Sequence, residues 1–242
     1  MGSEPDIIRP AETFVLNNPD YFSPVEKFVQ LKIKSKDQLS YKYHALGALQ
    51  EVLSFYLREK KDTGNLIDAD LNRLKFIKTH YTGSDGNSLY LNALKNLEKF
   101  AGDNPSSTDI TYAIAEHWNG ESGKYNPILG DKHKWEKKTA FDICTKVIEK
   151  SSNYEAPQNC HALQNTIRTK SIRLKTEGTI IPQKPSKALL SYRNVKELHF
   201  SVFEVNKKLM EYLKKEFAGY YEKHKTYIYY DEFLYNYFSK EK

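Results

Sequence analysis

Within "SYRNVKELHFSVFEV" (191–205), an arginine, an asparagine and a histidine stand close enough in sequence to act on one substrate: Arg193, Asn194 and His199. Histidine exchanges protons near neutral pH. Arginine clamps two phosphate oxygens through parallel N–H bonds, and the Asn194 amide could orient either partner or the phosphate. Such a set suits transesterification of RNA by its own 2′-hydroxyl. That reaction needs a base for the attacking oxygen, an acid for the leaving 5′-oxygen, and positive charge at the phosphorane.

Other signatures fail on their own spacing. "GESGKY" has Trp118 where a phosphate-binding loop needs its first glycine, and Tyr125 where it needs Ser or Thr. Asp131, Glu136 and Lys138 follow the loose D…ExK order of metal-dependent nucleases, but they fall in a helical pattern rather than on a strand. The seven histidines form no HxH or HExxH pair, so no metal or other cofactor is expected. Cys160 and His161 are adjacent and point apart. With only Cys144 besides, neither a disulfide framework nor a cysteine-rich zinc site is indicated.

The segment "YRNVKELH" resembles the Rx4–6H motif of the HEPN superfamily, all-helical domains that in many cases are metal-independent RNases of toxin–antitoxin, abortive-infection and CRISPR-associated systems. Arg193, Asn194 and His199 match as Arg, polar residue and His, with five residues between Arg and His. The commonest form with Asn after Arg has four. The resemblance implies a late helix carrying the motif, a metal-independent endoribonuclease of toxin or antiviral-defence type, and a homodimer with an antitoxin or other protein partner. Residues six apart on a helix lie about 240° apart beyond one full turn. Arg193 and His199 therefore meet only if Arg193 precedes the first turn, or if a second protomer brings its own pair across a two-fold axis. Arg73 and His80 in "RLKFIKTH" satisfy the same spacing.

A second function class fits the charge. The chain has 37 Lys and Arg against 31 Asp and Glu, a net +6, with pI near 9.0. The most basic tract, "RTKSIRLKTEGTIIPQKPSK" (168–187), sets Arg168, Lys170, Arg173, Lys175, Lys184 and Lys187 against Glu177 alone. This is an expected phosphate-contacting edge for RNA or another nucleic acid. "YYEKHKTYIYYDEFLYNYF" (220–238) adds nine aromatic residues, which read as a core or dimer face before a base-stacking one. The alternative to an RNase is thus a non-catalytic helical module that binds nucleic acid or protein: a defence-system subunit, an effector or an inhibitor.

The elements that must hold these residues read as all-α: a multi-helix bundle of about eight to ten helices with long irregular loops, at least two-thirds helical, with no sheet beyond a hairpin. Expected helices cover 24–34, 38–61, 68–81, 88–101, 106–120, 132–152, and Cys160 to Leu174; helix resumes from about Ser186 and carries the Arg/His motif. Ser and Thr of "SSTD" are N-cap candidates. On the 132–152 helix, Trp135, Ala140, Ile143, Val147 and Ile148 share one face. The 242 residues, 39% hydrophobic with mean hydropathy −0.70, suffice for a single helical domain over 1–242. A split near Pro105, into 1–105 and 106–242, is the alternative. No apolar run is long enough for a membrane span, and the N-terminus lacks a secretory pattern, so a cytoplasmic protein without membrane contact is expected.

Overall fold

A computed structural model of the chain describes residues 12–59, 63–150, 155–178 and 184–240. Among these, ten α-helices and one two-stranded sheet make an all-α fold, 62% helical. The helical share falls short of two-thirds because the described residues of the segment carrying the basic tract and the Arg/His motif are largely strand and irregular chain. Internal contacts divide the chain into two compact units, the first ending at Arg173 and the second starting at Leu174. The division does not fall near Pro105, where the flanking helices share one core.

The first unit holds α1 (Val25–Phe28), α2 (Tyr41–Glu59), α3 (Thr63–His80), α4 (Gly86–Ala101), α5 (Ser107–Glu121), α6 (Glu136–Lys150) and α7 (Glu155–Arg168). Leu46 and Leu53 on α2, and Ile67, Leu74 and Ile77 on α3, recur at helical spacing and are buried with Phe28, Leu94 and Ile110. A second cluster, built of Ala115, Ala140, Cys144, Val147, Ala156 and Cys160, lets α5, α6 and α7 approach closely because its side chains are small. Ala140 and Val147 are buried as the shared face requires, whereas Trp135 precedes α6 and is 62% exposed.

Local chemistry sets the boundaries. The helix expected over 24–34 stops after one turn: Gln50 of α2 donates from Nε2 to the carbonyls of Phe28 and Leu31, at 2.8 and 2.9 Å, and so satisfies carbonyls a longer helix would have used. The buried Ser40 starts α2, its hydroxyl accepting from the Tyr43 amide at 3.4 Å. Gly102, with φ +54°, closes α4 and donates its amide to the Glu98 carbonyl. The side chain of Ser106 does not cap α5; the turn before it is held by Asn104 Oδ1, which accepts from the Ser106 amide.

Two expected helices are corrected. The one drawn from Cys160 to Leu174 begins earlier and ends at Arg168, and β1 (Ser171–Thr176) follows. The one drawn from Ser186 is replaced by β2 (Ala188–Arg193), which pairs with β1, and by a segment over 194–206 without regular secondary structure. Asn206 then starts α8 (Lys207–Ala218) by accepting from the Leu209 amide at 2.9 Å. The second unit ends with α9 (Tyr220–His224) and α10 (Tyr230–Ser239). Its described core is thin: Leu213 and Phe233 are buried, and the rings of Phe217, Tyr220 and Tyr230 gather around Phe233.

Candidate functional site

The cations of the basic tract stand on three kinds of backbone. Arg168 ends α7 with its guanidinium over the Phe141 ring, 4.6 Å from the centroid, so part of its charge is spent on packing. Arg173 and Lys175 lie two apart on β1, and alternation along a strand puts both on one side of it. Every residue of β1 is exposed. Lys170, Lys184 and Lys187 are exposed positions outside regular structure, and the Lys187 amide donates to Glu177, the tract's single acid, at 3.1 Å. Among the described residues, Lys170, Arg173, Lys175, Lys184 and Lys187 form no ion pair.

The Arg/His motif is not on a helix. Arg193 is the last residue of β2 and is half-buried; Asn194 follows with φ +55°, a left-handed conformation that Asn tolerates and that ends the strand. His199 lies in the irregular segment after β2, 78% exposed at its side chain, with Nε2 3.4 Å from Glu197 Oε1. The geometric objection raised by a helix therefore lapses. His199 lines a cleft of about 400 Å³ with Ser201, Phe203, Leu234, Tyr235, Phe238 and Ser239, and Arg193 is not among the lining residues. The α10 side of this cleft was legible only as spacing: Leu234, Tyr235, Phe238 and Ser239 fall on one helical face.

The second Arg…His match has a structural explanation. Arg73 is 1% exposed, donates from Nε to Asp70 Oδ1 at 2.7 Å and from Nη1 to the Tyr21 carbonyl at 2.6 Å, and stacks its guanidinium 4.5 Å from the Phe28 centroid. Burial raises the Asp70 carboxyl above its ordinary range; Arg73 opposes that rise and Glu26 adds to it. Asp131 and Glu136 are occupied locally, by Lys134 and by His133 Nδ1, each at 3.0 Å. Among the described residues, no group of three or more His, Cys, Asp or Glu is placed to hold a metal ion.

Sequence reading missed a polar chain in the first unit. Lys78 donates to Asn87, Asn87 donates to Glu121, and Glu121 pairs with Lys124 at 2.7 Å. His117 sits beside it between the rings of Tyr90 and Trp118. Burial lowers the His117 pKa; Glu121 opposes this, while Lys78, Lys124 and Lys95 reinforce it. Cys144 and Cys160 are both buried and unbridged, and burial pushes both thiols up. No helix among the described residues is long and apolar enough to cross a membrane. No protein-family model, curated protein or solved structure matches this chain.

Proposed function

We propose that the chain is a binding protein for single-stranded nucleic acid, with β1 and the tyrosine-bearing surface of residues 174–242 as its contact elements. The observation that carries this reading is the pair Arg173 and Lys175, exposed on one side of β1 with no acid in ion-pair distance among the described residues. Cations left unpaired on an exposed strand suit phosphates, which release condensed counterions when they are neutralised. Exposed rings suit unpaired bases: Tyr192, Tyr227, Tyr229 and Tyr235 are each more than half exposed.

A second reading, metal-independent cleavage of RNA, rests on His199 alone. It is solvent-accessible, lines a cleft, and has Glu197 beside its ring, as a proton-transfer group held by a carboxylate would. Arg193 is half-buried and does not line that cleft, so in this reading a homodimer must supply the phosphate clamp from a second copy. One assay separates the two. The chain is incubated with labelled single-stranded RNA in EDTA, and both retardation and fragment length are read. Retardation with intact RNA supports binding alone; fragments that persist in EDTA support cleavage; absence of retardation at low salt overturns the first reading.

A further inference from the structure

The cleft beside His199 is built from two matched faces. His199, Ser201 and Phe203, at alternate positions of the irregular segment over 194–206, line the cleft from one side. Leu234, Tyr235, Phe238 and Ser239 occupy one face of α10. Phe203 and Phe238 join the two faces by stacking, with centroids 4.6 Å apart and planes at 25°. Tyr235 is 73% exposed. The acid Glu204, next to Phe203, is not among the cleft's lining residues.

We infer that this cleft receives one unpaired nucleobase of a bound strand, stacked against its aromatic side chains and hydrogen-bonded at its edge by His199, Ser201 and Ser239. Size, chemistry and charge each support this. About 400 Å³ lies near the small end of ligand pockets, room for a base and its sugar. The lining combines flat rings with an imidazole and two hydroxyls. A base offers two π-faces and an edge of donors and acceptors, so it engages both kinds of group. The surrounding unit favours an anionic ligand: residues 174–242 carry 13 Lys and Arg against 9 Asp and Glu, and Lys207, Lys208 and Lys240 immediately follow the two segments that line the cleft. A base inside a duplex is stacked on both faces and paired along its edge, and cannot enter.

This inference rests on the single-strand-binding reading, and its test keeps the two apart. The full chain is titrated with a 2′-O-methyl RNA oligonucleotide, which cannot undergo 2′-hydroxyl cleavage, carrying one 2-aminopurine whose fluorescence falls on stacking. Wild type should quench the probe further in the single strand and leave the already low emission of the stacked duplex probe unchanged. Tyr235→Ala should abolish most of the quenching and weaken binding about tenfold, with the salt dependence unchanged. His199→Gln, which keeps an edge donor, should bind within about threefold of wild type, whereas His199→Ala should bind more weakly. Tight binding without quenching, together with wild-type affinity for Tyr235→Ala, overturns the base cleft and leaves the strand-binding reading standing. Failure to bind any strand overturns both.

Discussion

His199 Nε2 lies 3.4 Å from Glu197 Oε1, so the two side chains, two apart in sequence, reach toward one another. The carboxylate can set the orientation of the imidazole from outside the cleft. With both side chains more than three-quarters exposed, water competes for the contact, and the pair adds little to stability. Its consequence is for the imidazole's aim.

If the chain cleaves RNA, His199→Ala should lower the rate by about 10²- to 10⁴-fold while binding changes far less, because a general acid or base acts chiefly in the transition state. Arg193→Ala should lower both rate and affinity, since its charge meets the phosphate throughout. Single-turnover cleavage in EDTA measures both. Wild-type rates from His199→Ala remove the cleavage reading.

Arg173→Ala with Lys175→Ala should flatten the salt dependence of binding. Each phosphate contact to a single strand contributes about 0.7 to the slope of log affinity against log salt, so losing two should reduce it by roughly 1.4. Arg168 is better left intact, because its guanidinium also packs on Phe141. Affinity measured from low to moderate salt gives the slope, and an unchanged slope removes β1 from the interface.

Arg73→Ala should destabilise the first unit by about 3–5 kcal/mol, because Asp70 would remain buried with its partner gone. Asp70→Asn with Arg73→Met, which removes both charges, should recover much of that loss. Both tryptophans, Trp118 and Trp135, lie in the first unit, so their emission during urea unfolding of the full chain follows it.

Stability of the first unit should fall as pH drops below about 6.5. Burial holds the folded-state pKa of His117 below its ordinary value of 6.5. The unfolded chain therefore takes up the proton first, and the contribution present above 6.5 is lost as pH falls through the folded value. His117→Gln should flatten this part of the profile. Urea midpoints of tryptophan emission between pH 5 and 8 test it, and equal slopes in both proteins refute it.

What was legible in the sequence follows from where the determinants are local. Leucines and isoleucines at helical spacing announced α2 to α5, and Gly102 announced the end of α4. The short α1 was hidden because the group that ends it, Gln50, is about twenty residues away. The strands were hidden for a related reason. "SIRLKT" and "ALLSYR" are six residues each, exposed on most positions, and identify themselves only by pairing with one another. For the site, the residue types of Arg193 and His199 were plain, but their relative placement depended on Asn194 turning left-handed. The opposite wall of the cleft comes from α10, some thirty residues further on.

The two thiols offer a practical consequence. Cys144 and Cys160 are the only cysteines in the chain; both are fully buried, and both are held protonated by their surroundings. To an alkylating dye the folded surface is therefore blank. A single cysteine introduced at an exposed position, such as Lys184→Cys in the basic tract or Tyr227→Cys in the aromatic tract, would take the label alone, without first stripping the native sulfurs. A donor placed there and an acceptor on an oligonucleotide would turn the contact surface into a set of measured distances.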